Sequence, residues 1–236
     1  MRDPRLEQYA GILVDTCIGV QPGWQVLVSA APLARPLVDE VSRLLGERGV
    51  YALIRQNLTG SLPWALAAPE ELLKTIPSID LHSLENADAL ISIDAPENTR
   101  ERSALSTERV RLRQAALRPA MERLFTGDLK WVGCLYPTPA LAQDAGMSTR
   151  AFEDFLYGAC VLDWDAERER MSRYSERFDS ADEVRIVGAE TDLTLSLTGR
   201  TGEVDAGGAN MPGGEFYYSP VEDSAEGTIS FLEFPA

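Results

Sequence analysis

The residues best placed to do chemistry stand in one run: Asn210-Met211-Pro212-Gly213-Gly214-Glu215-Phe216-Tyr217-Tyr218-Ser219-Pro220-Val221-Glu222-Asp223. Gly213 and Gly214 open backbone angles closed to other residues. Pro212 pre-sets one turn position, and Pro220 stops a strand because it has no N–H for a ladder bond. The run therefore reads as a tight bend that delivers one carboxylate, Glu215, into a short aromatic strand. Catalytic metals need donors fixed in that way, before the ion arrives. The same spacing also serves a surface hairpin with one exposed glutamate. A single carboxylate does not hold a metal tightly, so Glu215 needs partners.

Other chemistry is narrowed by what the chain contains. His82 is the one histidine, in Ile79-Asp80-Leu81-His82-Ser83-Leu84, with no nucleophile motif beside it. A Ser-His-Asp or Cys-His apparatus would have to be built on it. Cys17, Cys134 and Cys160 lack the spacing of a zinc knuckle or a disulfide framework. Their odd number and scatter fit a reducing cytoplasm. The loop Ser29-Ala30-Ala31-Pro32-Leu33-Ala34 lacks the glycines that admit a pyrophosphate, which excludes a dinucleotide site of the usual kind. Residues 94–98 (Asp94 to Asn98) leave a strand at its C-terminal end, where α/β proteins place binding groups; an ordinary polar strand exit has the same composition.

The elements that must position these groups follow from periodicity. Residues 5–18 carry Leu6, Tyr9, Ala10, Leu13, Val14 and Cys17 at helical spacing. Residues 24–30 read as a buried strand, 32–48 as a helix and 50–55 as a second strand, which is a βαβ unit with parallel strands. Residues 57–68 read as a loop. Pro69-Glu70-Glu71 suits a helix start. Residues 89–94 and 129–135 add two strands, and 100–123 form a charged helix interrupted near Pro119. The arginines of that helix read as a solvated face. Residues 140–145 and the stretch after Ser148 are helical, with Met147 and Phe155 expected in the core; 163–178 form a polar helix. From residue 183 the pattern switches to alternation, in 183–187, 192–197 and 227–234, implying antiparallel pairing. The fold class expected is α/β: an N-terminal parallel-sheet βαβ domain over residues 1–180, then the opening antiparallel strands of a second domain over 181–236.

Composition sets the partners. The 236 residues carry 22 Lys and Arg against 37 Asp and Glu, a net charge of −15. A chain so acidic is not expected to bind nucleic acid or an anionic membrane surface. It has no apolar run long enough to span a bilayer and no secretory hydrophobic region, so a cytoplasmic location is expected. After Arg200 there is no Lys or Arg, while Glu203, Asp205, Glu215, Glu222, Asp223, Glu226 and Glu233 remain. That concentration of negative charge attracts a divalent cation.

Asn210 to Glu215, the aromatic run after it, Ser219-Pro220 and Val221-Glu222-Asp223-Ser224 resemble the signature that opens the metal site in the thermophilic aminopeptidases, the metallopeptidases of the aminopeptidase T and S type. Gly188-Ala189-Glu190-Thr191-Asp192-Leu193, Gly199-Arg200, the stretch from Pro137 to Ser148, and Phe152-Glu153-Asp154-Phe155 resemble the same family, so the resemblance runs along most of the chain. It implies an aminopeptidase acting on peptide substrates through two divalent ions (cobalt, zinc or manganese), a homodimer, and Glu215 as a metal ligand. The family's other ligands, which include histidines, carboxylates and a tyrosine, match positions beyond Ala236. The resemblance thus implies a chain that carries the first ligand and is inactive alone, or a non-catalytic α/β binding or assembly module derived from such an enzyme. Glu222 and Asp223 are open to a role behind the ligands or to plain solvation.

Overall fold

The computed structural model describes residues 3–56 and 61–231. They form two compact units, Met1–Leu162 with Gly207–Pro212, and Asp163–Ala206 with Gly213–Ala236. In chain order the first unit contains α1 (Pro4–Gly11), β1 (Gln25–Ala30), α2 (Arg35–Glu47), β2 (Tyr51–Gln56), α3 (Ser61–Ala67), α4 (Glu70–Leu73), α5 (Ser78–Asn86), β3 (Ala89–Asp94), α6 (Thr107–Phe125), β4 (Lys130–Leu135), α7 (Pro139–Asp144) and α8 (Thr149–Cys160). The chain continues with α9 (Trp164–Asp179), β5 (Glu183–Gly188), β6 (Thr191–Ser196), β7 (Glu203–Asp205), β8 (Asn210–Met211), β9 (Glu215–Tyr217) and β10 (Glu226–Thr228).

In the first unit the strands order β2-β1-β3-β4-β8, all parallel. Central parallel strands are covered on both faces and so must be apolar. Accordingly, Val26, Val28 and Ala30 of β1, Ala89, Ile91 and Ile93 of β3, and Val132 and Cys134 of β4 are buried. Helix α2 turns Leu37, Val38, Val41, Leu44 and Leu45 inward at helical spacing. Helix α1 starts on Pro4, capped by the Asp3 carboxylate, and continues as a π-helical turn over Ile12–Ile18 that Gly19 ends at φ +60°. The expected α/β class with a parallel sheet is the observed one.

Four expectations fail locally. Residues 61–67 are helical rather than loop, because Pro63 falls in the first turn, where its missing N–H costs nothing, and Trp-Ala-Leu-Ala continues the helix; residues 57–60 lie outside the described residues. Helix α6 runs through Pro119 without a break in its assignment. Its arginines are not simply solvated: Arg109 donates to the carbonyls of Ala65 and Ala68 at the end of α3, and Arg123 donates to Leu84 O at the end of α5 and to Asp128 O. Guanidinium groups placed there satisfy carbonyls that a helix end leaves unbonded. Finally, α8 buries Phe152, Leu156, Tyr157 and Cys160, whereas Phe155 is 60% and Met147 39% exposed. The helix is rotated so that Phe152, not Phe155, enters the core.

The second unit is antiparallel. β5 and β6 form a hairpin, β10 joins the other edge of β6, and β7 pairs with β9 in a separate ribbon. The alternation expected from residue 183 is therefore observed, although the last strand spans Glu226–Thr228 and residues 232–234 lie outside the described residues. Helix α9 buries Trp164, Met171 and Ser175 and packs on β7 and β9. Among the described residues no helix is long and apolar enough to cross a membrane.

Candidate functional site

Glu215 opens β9, and its position is fixed by the bend before it. Asn210-Met211 pairs with Gly133 and Cys134 of β4, and Met211 is buried. The chain then turns through a cis Met211–Pro212 bond and Gly214 at φ +105°. That φ is open to glycine alone without strain. The Gly214 N–H donates to Asp205 O at 3.0 Å, which starts the ribbon and sets its register: Asp205 opposite Glu215, Val204 opposite Phe216, Glu203 opposite Tyr217.

Side chains alternate across a strand. One face of the ribbon therefore carries Val204 and Phe216, and the other carries Glu203, Asp205, Glu215 and Tyr217. The apolar face rests on α9: Phe216 meets Phe178 edge-on at 5.3 Å, and Tyr218 stacks on Phe178 at 5.6 Å. Tyr218 Oη lies 2.8 Å from Ser175 Oγ, Ser175 O and Asp179 Oδ1, and the Gly202 N–H donates to the same Asp179 oxygen at 3.0 Å. Gly202 has no room for a side chain, since a Cβ there would fall 2.2–2.5 Å from Tyr218 ring atoms.

The other face is acidic. Tyr217 Oη donates to Glu203 Oε2 at 2.6 Å. This bond first, then desolvation and the charges of Glu203, Asp205 and Glu215, push the phenol above its ordinary pKa. Asp205 and Glu203 as neighbours of Glu215 are not readable from sequence spacing, because the register depends on the bend. Glu215 itself is exposed. An apolar cavity of about 320 Å³, lined by Phe178, Val184, Leu195, Phe216, Tyr218 and Pro220 among others, does not include it.

The remaining candidates are divided between the two units. Glu222 pairs with Arg200 Nη2 at 2.7 Å, and Asp223 is exposed. His82 is exposed on α5 of the first unit, its ring Nδ1 3.2 Å from Asn86 Nδ2. Asn98 Oδ1 accepts from the Arg100 N–H at 3.0 Å, closing a turn after β3. None of the three cysteines is joined in a disulfide; burial pushes Cys160 up to about 11 and raises Cys134 as well. Among the described residues no group of three or more His, Cys, Asp or Glu side chains is arranged to hold a metal ion. A site for a divalent ion takes several oxygen or nitrogen donors closing round one point. The described residues do not fit that requirement: Glu203, Asp205 and Glu215 supply one open acidic face.

The family model described as thermophilic metalloprotease (M29) matches residues 2–235. The chain belongs to that family. Its members' metal dependence is in the family's description, and divalent metal use follows from it. Among solved structures, wild-type AmpT from Thermus thermophilus is similar, with a TM-score of 0.74 and 18% identity over 95% of this chain and 63% of that one. At that identity the likeness shows a shared fold, and the chain spans about 63% of the AmpT length. A LacI-family repressor from Corynebacterium glutamicum aligns at TM-score 0.30 with 13% identity, over 55% of this chain and 41% of that one. CurK enoyl reductase aligns at 0.23 with 10% identity, over 63% and 57%. Neither of those two carries an argument. No curated protein matches the sequence.

Proposed function

We propose that this chain supplies the α/β domain and the opening of the catalytic domain of a cytoplasmic, homodimeric metallo-aminopeptidase that releases N-terminal residues from peptides. The strands from residue 181 onward, with the helix α9 they pack on, are the start of that catalytic domain. Glu215 is the first metal ligand. The observation that carries the reading is the family match, whose span of residues 2–235 includes the bend and Glu215. Divalent ions, cobalt, zinc or manganese, would supply Lewis-acid chemistry in the whole enzyme, with Glu215 as one of the residues that would hold them. This chain's own contribution is narrower. The Gly214 bend and the ribbon register hold one carboxylate at a fixed point of an acidic face, and α9 braces that face from behind.

A second reading is favoured by the incomplete donor set around Glu215. In it the chain is a non-catalytic α/β binding or assembly module of the same descent. One assay tests whether this chain alone is inactive: it is supplied with cobalt, zinc or manganese and a leucine anilide. The first reading predicts little or no turnover by this chain alone. Robust metal-dependent release of aniline would show that the described donors suffice and would overturn it. Divalent-metal binding by the natural polypeptide that carries this sequence separates enzyme from module: the enzyme binds, the module does not.

A further inference from the structure

Helix α9 braces the ribbon with its buried side and bears a basic recess on another. Arg170, Arg173, Tyr174 and Arg177 stand at i, i+3, i+4 and i+7, the spacing that puts side chains on one side of a helix. They line a recess of about 290 Å³ that lies wholly within the second unit. Glu167 pairs with Arg170. Arg173 and Arg177 make no side-chain ion pair or hydrogen bond among the described residues, and neither does the Tyr174 hydroxyl. Arg173 has Glu169 and Glu176 one helical turn away, before and after it, and pairs with neither; it lines the recess instead. Like charges three and four residues apart repel. Three guanidiniums around one hollow therefore raise its energy until an anion enters.

Charge and size identify the occupant. Arg173 and Arg177 leave two positive charges unmatched, and a phosphate monoester carries about −1.5 to −2 charges at pH 7. A single carboxylate would match only one of them. The four residues span about 10 Å of helix, so their long side chains can converge on one compact group. A longer acidic segment would overrun the patch onto Glu169 and Glu176, on a chain whose net charge is already −15. Guanidinium forks fit phosphate oxygens two at a time. Tyr174, 51% exposed, adds a hydroxyl donor and a ring face. We propose that this recess binds a phosphate dianion, free or as the head of a small monoester, on the guanidiniums of Arg173 and Arg177 with Arg170 and Tyr174 beside them. The site is independent of the chemistry of Glu215.

Titration calorimetry of the chain in metal-free, low-salt buffer tests it, with inorganic phosphate and phenyl phosphate as ligands and Arg173→Gln/Arg177→Gln as the comparison. Both side chains are exposed, so the variant folds, and an unchanged circular dichroism spectrum and melting curve check that. The parent is expected to bind one phosphate per chain, and the variant to bind it at least ten-fold more weakly. Added sodium chloride weakens binding by screening. Tighter binding of phenyl phosphate, with the advantage lost in Tyr174→Ala, identifies a monoester whose body lies on the ring; equal binding of the two identifies free phosphate. Either result supports the site. A parent that binds neither ligand, or binds both equally well after the two substitutions, overturns it. So does a triglutamate peptide that binds more tightly than either phosphate, which would assign the recess to an acidic protein segment.

Discussion

Removing one hydroxyl should loosen the ribbon that carries Glu215. In Tyr218→Phe the ring keeps its stack on Phe178 and its contact with Gly202, while the phenol's hydrogen bonds vanish. The phenol has one proton to give, shared between Ser175 O and Asp179 Oδ1, and it accepts from Ser175 Oγ. A hydrogen bond to a charged group contributes about 1.5–3 kcal/mol and a neutral one about 0.5–1.5 kcal/mol. Asp179 is exposed and regains water, which discounts the first; Ser175 is buried and loses a partner. The expected cost is about 1–2 kcal/mol, a factor of about 5–30 in the opening equilibrium. Hydrogen exchange read on peptides covering residues 164–179 and 215–218 reports that equilibrium directly. Those peptides should exchange about 5–30 times faster, while peptides from β1 and β3 stay unchanged. Equal rates in parent and variant would refute the bracing role of α9.

Three further outcomes are expected. Gly202→Ala drives a methyl into the Tyr218 ring and should destabilise the second unit by about 1–3 kcal/mol, seen as faster exchange over the same peptides. Phe152→Ala should cost about 3–5 kcal/mol in urea unfolding and Phe155→Ala about 0.5 kcal/mol or less; a reversed order would contradict the observed rotation of α8. Burial raises Cys160 to about 11 from 9.0, and raises Cys134 and Tyr9 as well, so the folded first unit keeps protons that the unfolded chain gives up. The stability this confers is full below about pH 9 and is lost as pH rises from 9 toward 11. The urea midpoint should therefore fall between pH 8 and 10.5, and fall less in Cys134→Ala/Cys160→Ala; equal falls would contradict the burial of these thiols.

The parallel sheet was legible because its strands are apolar runs separated by helices with clear caps and stops. β8 was not, since two residues, Asn210 and Met211, carry no period; only pairing with Gly133 and Cys134 reveals them as a strand. The buried face of α8 is not legible in the sequence because Phe152 and Phe155 are both large and lie three residues apart. Which one enters the core is decided by the neighbours of Tyr157 and Cys160, not by local spacing. Arg109 and Arg123 looked like solubilising charge because their acceptors are carbonyls about 40 residues away in sequence. At the site, the bend and Glu215 stood out in the sequence through Pro-Gly-Gly. Asp205 opposite it did not, because a ribbon's register is fixed by the hydrogen bond from Gly214 N–H to Asp205 O.

Metal content is the decisive measurement. The natural polypeptide that carries this sequence is stripped with a chelator, reloaded with cobalt, zinc or manganese, dialysed and analysed, alongside its Glu215→Ala variant. Retention of divalent ion by the parent, and a clear loss of bound ion in a variant with an unchanged circular dichroism spectrum, is the predicted result. Equal metal content in the two would contradict the assignment of Glu215 as a ligand.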